Sequence, residues 1–405
     1  MELNTKEELY SFLDNYTAAR RSEIDTHGLK QGTGLIKSYV LETSQHNGIP
    51  DIEDALSMSG ITAQSINDDL FVIKRNLAPI GYAEPLTSRY FAIHSFEVND
   101  DADQIIRRAT KQSPKLDSLW LTSDVFQQLL KQYIEPQSPH RWINMRFEQR
   151  PRYEFGVTKE IDETTGEIID IDTETESDVS NQYWGGFFSQ RAEEWAATLH
   201  QYQEIQPRWN AIKMLRIPGS EQGGYDLWYW GKMTYRTSSF REGRALLKFV
   251  STAYEKLTAA IEDAIWLEAE ETHIGEQSFA HLRGLPAIFE FEHELSPRVF
   301  ANFIESTFDG DHEPFRLWGN PIWLGENKVH VYGMDLHLWQ PVYMEFTRKR
   351  FLFLLPTGTC GNTVHRLFSN IQRYIDPTVH LTIGGTNYGK MIENAIQGHE
   401  VFDER

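Results

Sequence analysis

A chain of 405 residues with 39 basic and 59 acidic side chains carries a formal charge of −20, and 40% of it is hydrophobic. That much hydrophobic material excludes a disordered chain. The charge disfavours phosphate backbones and anionic membranes as partners of the whole surface, leaving nucleic acid only a local basic site.

Cys360 is the only cysteine, which excludes an intramolecular disulfide and a cysteine-rich zinc site. The opening MELNTKEELYSFLDNY puts charges where a signal peptide needs an apolar core. No stretch approaches the ~18 apolar residues of a membrane span. These features predict a cytoplasmic protein with no membrane partner, and the length predicts more than one domain.

The first 80 residues read as a small helical domain. Thr5 followed by Glu8 has the form of a capping box, and Leu9, Phe12, Leu13 and Tyr16 share a helical face. Pro79, Gly81 and Pro85 mark its boundary. Residues 86–180 read as an α/β layer: a strand over Arg89–Val98, a helix over Asp101–Ala109, a strand over Leu116–Leu121, a helix over Ser123–Ile134 and a strand from Trp142. Glu154 to Glu176 predicts a protruding acidic β-hairpin with its turn at 163–166, where Gly166 supplies the positive φ. Nine acids and no Lys or Arg lie between Glu160 and Asp178. Such a ribbon is either a solvated edge or a docking surface for a basic partner.

Residues 181–280 read as a helical, Trp-rich linker domain. Trp184, Trp195, Trp209, Trp228 and Trp230 suit core packing, with base or sugar stacking as the rarer use. A long spine helix is expected from Phe240 to Glu271, capped by Ser239 with Glu242. Residues 285–405 read as an α+β sandwich: strand AIFEFEHEL, a helix opened by Ser296 and Pro297, several strands, the helix TVHRLFSNIQRYID, and a closing helix capped by Thr386. The continuous run FLFLLP predicts a central strand buried on both faces. The expected fold is therefore mixed α+β: an N-terminal helical segment, a central α/β layer, and a C-terminal antiparallel-rich sheet with helices on one face.

The chain holds no P-loop, GxSxG, HExxH or paired CxxC. Three constellations remain. Gly358, Thr359, Gly361, Asn362 and Thr363 form a turn into a helix whose free amides suit an anion, although Asn362 or Thr363 capping the helix explains the same residues. Asp335 and Glu345 stand on neighbouring strands near Lys349, which would let carboxylates hold Mg2+ or Mn2+ and a lysine stabilise developing charge. The Glu-x-Lys spacing of restriction-type nucleases is missing, because Phe346 and Thr347 follow Glu345. A Cys360–His365 dyad and a set of His293, His330 and His337 are weaker groupings, since sequence spacing does not bring either together.

Two functions fit. One is a non-catalytic subunit or adaptor acting on a protein partner through the acidic hairpin and the aromatic middle. The other is a metal-dependent nuclease or phosphoesterase using Asp335, Glu345 and Lys349.

Overall fold

The computed structural model describes residues 3–28, 34–46, 48–154, 160–161, 168–169, 184–220, 223–274, 277–308 and 313–396. Helix α1 (Lys6–His27) starts at Thr5, whose hydroxyl accepts the Glu8 amide at 3.2 Å, and stops at Gly28, where φ is 76°. The chain then turns extended. Among the described residues, the short helix Ile52–Leu56 is the only other helix before residue 80. The helical domain expected over 1–80 is thus corrected: these residues mostly build sheet. The runs KSYVLE and LFVIKR are rich in β-branched and aromatic side chains, which pack better on a pleated surface than on a helix.

The first sheet has eleven strands. Ten follow the order β7 (Trp184–Arg191), β6 (Trp142–Gln149), β8 (Ile212–Pro218), β9 (Gly224–Trp228), β10 (Lys232–Tyr235), β1 (Lys37–Glu42), β5 (Tyr90–Ser95), β4 (Ala78–Pro85), β3 (Leu70–Arg75) and β2 (Thr62–Asn67). The eleventh, Asp117–Ser118, pairs with β1 through Glu42↔Asp117. It is all that forms of the strand expected over 116–121. Helices α2 (Asn99–Gln112) and α3 (Ser123–Leu129) fall where periodicity put them. Strands from both sides of residue 180 share this one sheet. Of the acidic hairpin, Glu160–Ile161 pairs antiparallel with Ile168–Ile169; its turn and remaining acids lie outside the described residues.

Helix α4 (Trp195–Ile205) carries Trp195 and Leu199 into the core. Trp228 and Trp230 are buried too, while Trp184 and Trp209 are half-buried and pack edge to face at 5.3 Å, so the aromatic middle serves chiefly as packing material. Helix α5 (Phe240–Ile265) opens on the predicted cap, Ser239 accepting the Glu242 amide. It ends six residues early. Trp266 donates its indole N–H to the Thr359 carbonyl at 2.8 Å, and Trp266–Leu267 pair in parallel with Leu355–Pro356. Glu268, Glu270 and Glu271, which fall within the span expected to be helical, therefore stand on strand β11 (Trp266–Ile274), which pairs with β12 (Gln277–Arg283).

The second sheet has nine strands. Six follow the order β14 (Leu317–Trp323), β15 (Lys328–Asp335), β16 (Gln340–Thr347), β17 (Arg350–Pro356), β13 (Ala287–Glu290) and β18 (His380–Ile383), followed by Thr386–Asn387; β11 joins at β17. Helix α6 (Pro297–Phe308) begins as predicted, with Ser296 Oγ accepting the Val299 amide. Helix α8 (Tyr388–Ile396) is opened by Asn387, whose Oδ1 accepts the Gly389 amide, not by Thr386.

Between the sheets lies helix α7 (Asn362–Tyr374), every residue of which is buried. Its apolar side meets the second sheet, Phe368 against Phe289 with ring centroids 6.1 Å apart. Its other side carries Arg366, Asn370 and Arg373, spaced on one helical stripe. Arg373 donates to the carbonyls of Glu148 and Ile212 in the first sheet at 3.1 and 3.0 Å. The antiparallel sheets and the helices packed on them make a mixed α+β fold, and one apolar core runs from Leu3 to Ile396.

Candidate functional site

The polar residues of α7 continue into a buried seam where the two sheets meet. Arg366 is fully buried and bonds Asp117 of the first sheet and Asp335 of the second, the latter at 2.5 Å, while its Nε donates to the Phe315 carbonyl at 3.1 Å. Arg316 lies 3.5 Å from Asp117. Burial alone would raise the Asp117 carboxyl, but Arg366 and Arg316 outweigh it and hold that carboxyl below its usual range.

At the other end of the seam, Arg89 contacts Glu42 at 2.6 Å and forks onto Glu262 at 2.9 and 2.6 Å. Its Nη2 also lies 3.2 Å from the Cys360 sulfur. Burial, then the nearby Glu42 charge, pushes the Cys360 thiol well above its ordinary value. His337, in the turn after β15, projects its Nε2 to 3.6 Å from Glu42.

Asp335 lies in this seam as an arginine partner. It also accepts the Thr363 hydroxyl and the His337 amide. Glu345 is elsewhere, on the outer face of β16, with Lys328 at 2.7 Å, His330 at 3.0 Å and Arg350 at 3.7 Å. In the β15–β16 ladder Asp335 is level with Gln340, but Glu345 is level with His330. Five residues of strand separate them, roughly 17 Å. Lys349 donates to the Phe291 and Glu292 carbonyls at 2.6 and 3.0 Å. A shared Mg2+ or Mn2+ site on Asp335 and Glu345, with Lys349 beside it, is therefore corrected. The alternation placing both acids near one sheet did not fix their level along it.

The loop before α7 does hold an anion, but an internal one. The Gly361 amide donates to Glu262 Oε1 at 2.7 Å. Thr359 Oγ1 donates to the Pro356 carbonyl, and Gly358 makes the turn at φ 88°. Asn362 does not cap the helix: its Oδ1 accepts the Tyr254 hydroxyl and its amide donates to the Ser118 carbonyl. Thr363 is drawn away to Asp335. The expectation of a free anion loop is thus corrected, because these donors are buried and answered from within the chain.

Cys360 and His365 form no dyad. His365 binds Thr258 and Tyr388, at 3.2 and 2.6 Å, and burial depresses its imidazole to about 3. His330 sits with Glu345, apart from the buried His337.

A cavity of about 420 Å3 opens between α3, the segment after α4, and α8. Asp124, Gln203, Gln372, His380 and Asn387 line it, with no Lys or Arg among the lining residues. Burial raises the Asp124 carboxyl to about 6, opposed by His380. Without a cation in its wall, the cavity does not suit a phosphate.

The third candidate is a surface. The run FLFLLP was expected to be buried on both faces, yet Phe351, Phe353 and Leu355 are buried whereas Leu352 and Leu354 are half-buried. Among the described residues, helices cover only one side of this sheet. On the open side, Trp318, Met334 and Pro341 form one cross-strand row, and Asn320, Tyr332, Tyr343 and Leu354 the next. Ile322, His330, Glu345, Leu352 and Ile288 follow. The last row is charged: Lys328, Arg350, Glu290 and His380. Tyr332 is 68% exposed and Trp318 50%. A face turned to water ordinarily alternates to polar residues, and this one does so only at one end.

The residues that build the seam from the first sheet, Glu42, Arg89 and Asp117, left no local signal, since even the nearest pair, Arg89 with Glu42, is 47 positions apart, while Arg366 lies 249 positions from Asp117 and Cys360 318 from Glu42. A family model described as MJECL33-like protein matches residues 1–389. The protein bearing the name Uncharacterized protein MJECL33 in Methanocaldococcus jannaschii is 22% identical over an alignment covering 96% of each chain. No solved structure matches.

Proposed function

We propose, for a chain that belongs to the MJECL33-like family, a function of polypeptide association without catalysis, carried by the open face of its second sheet. The family name states no activity, so the reading rests on the molecule. One observation carries it: Trp318, Ile322, Tyr332, Tyr343 and Leu354 stand on a single sheet face with no layer of the described residues over them. Contiguous exposed apolar surface of this kind marks interaction sites.

The occupant we assign is a second copy of the chain. Sheet faces pack on one another about 10 Å apart, and a two-fold axis needs a self-complementary surface. The charged row, with Glu345 in the row beside it, supplies both signs, Lys328 and Arg350 against Glu290 and Glu345, so two copies can answer each other's charges. Support against a catalytic reading comes from the seam, where the carboxylates and guanidiniums answer one another. The absence of any described helix long and apolar enough to cross a membrane is consistent with a partner met in water.

Sedimentation velocity of the full chain tests this. The wild type should sediment at twice its monomer mass through the micromolar range. The variant Tyr332→Asp with Ile322→Lys should lose at least tenfold in association while its circular dichroism stays unchanged. A monomeric wild type at every concentration defeats self-association. Capture of a different polypeptide through these same side chains would put that polypeptide in place of the second copy.

A further inference from the structure

We propose that Glu42, His337 and Cys360 form an intramolecular binding site for one divalent cation of the zinc class, joining the two sheets. The three come from β1, from the turn after β15 and from the loop before α7. Each is buried, and one ligating atom from each lies within 4.8 Å of the others.

The geometry of His337 carries the argument. Its Nδ1 is 3.1 Å from the Pro114 carbonyl oxygen. That oxygen can only accept, so Nδ1 holds the ring proton and Nε2 presents a lone pair. Nε2 has no hydrogen-bond partner, although His337 is 1% exposed. It faces Glu42 Oε2 at 3.6 Å, beyond hydrogen-bond reach. Two acceptors opposed across a buried gap are unfavourable unless a cation stands between them. A metal-bound histidine is ordinarily oriented by this same bond from its other nitrogen to a carbonyl.

The distances and the donor set agree with a metal. With Zn–N and Zn–O near 2.0 Å and Zn–S near 2.3 Å, neighbouring ligand atoms in a tetrahedron are about 3.3–3.5 Å apart. The Cys360 sulfur lies 3.3 and 3.4 Å from the Glu42 oxygens, and the imidazole–carboxylate gap is 3.6 Å. One sulfur, one imidazole nitrogen and one carboxylate oxygen suit zinc and not Mg2+ or Ca2+.

Charge points the same way. The seam holds the carboxylates of Glu42, Asp117, Glu262 and Asp335 against the guanidiniums of Arg89, Arg316 and Arg366. This leaves one negative charge over. A dication entering as Cys360 gives its thiol proton to solvent brings the group to neutrality. Arg89 is the opposing cation, but its Nε takes Glu42 Oε1 and leaves Oε2 toward the gap. A fourth ligand is not supplied by this trio, so that position falls to water or a small ligand.

The test refolds the full chain with Zn2+ or Co2+, desalts it and measures bound metal with the absorbance of the cobalt form. One retained metal per chain and a thiolate-to-cobalt charge-transfer band are expected, and that band has a single source because Cys360 is the only cysteine. Cys360→Ala should abolish the band, and His337→Gln should weaken retention at least tenfold. Metal held without a thiolate band, or none retained by the folded wild type, overturns the proposal. Either result is read from the wild type alone, so a variant that fails to fold does not shelter it.

Discussion

Asp335 and Glu345 are ten residues apart on neighbouring strands of one ladder, and each gathers cations around it. Asp335 is buried and meets Arg366, which has no exposure of its own. Glu345 meets Lys328, His330 and Arg350, whose side chains are 38–50% exposed. The pairing chemistry is the same. What differs is water: the surface group is screened, while the buried one has lost its hydration and depends on donors within the chain, Arg366 first among them. Elsewhere in the chain, Glu84 and Asp124 extend the comparison to a buried carboxylate with a paired guanidinium and a half-buried one on a cavity wall with none.

Arg366→Met should have the largest effect. It leaves Asp117 and Asp335 buried without their main counter-charge, a loss on the order of 3–5 kcal/mol in denaturant titration. Adding Asp335→Asn should recover part of it. A loss below about 1 kcal/mol would mean that water reaches the seam.

Glu84→Gln comes next. This carboxylate accepts Arg244 at 2.7 and 2.8 Å and the Tyr10 hydroxyl at 2.5 Å. Burial would raise it, but His94 and Arg244 outweigh burial and hold it well below the usual range. A depressed acid contributes stability above its unfolded value, and that stability is lost as pH falls through the folded value. The variant should therefore cost roughly 2–3 kcal/mol near pH 7, with the gap closing in acid.

Asp124→Asn should act with the opposite sign. Its carboxyl is raised to about 6, so the charged form is penalised in the folded state. The variant should gain roughly 2 kcal/mol at pH 7.5 and almost nothing below pH ~3, where the carboxyl is neutral in both the folded and unfolded states. Thermal melts at the two pH values check this. A gain independent of pH would trace to something other than ionisation.

Glu345→Ala should matter least, under about 1 kcal/mol and less in high salt. Lys328 is the main reason its carboxyl lies below the ordinary range. A cost equal to that of Arg366→Met would erase the contrast from which this series starts.

Local signals were readable where they act locally. Ser239 with Glu242 and Ser296 with Pro297 open their helices as expected, since a cap needs only residues three positions apart. The end of α5 was not readable, because Trp266 leaves the helix to pair with residues almost ninety positions later. The same limit hid the seam. Arg366, Asn370 and Arg373 make a polar stripe that reads as solvent-facing, and only the arrival of the first sheet turns it inward. Cys360 stood near His365 in sequence, yet the histidine that shares its pocket comes from the turn at residue 337.

Placing α7 so late in the chain has a consequence for synthesis. The strands of the first sheet are complete by Tyr235, but Arg366, the main counter-charge of Asp117, and Arg373, which donates to the carbonyls of Glu148 and Ile212, come far later in the chain. At about 5–20 residues per second the ribosome needs many seconds to deliver them. Through that interval the emerging sheet keeps one wet, unsealed side, and the molecule closes only when its final tenth has been made.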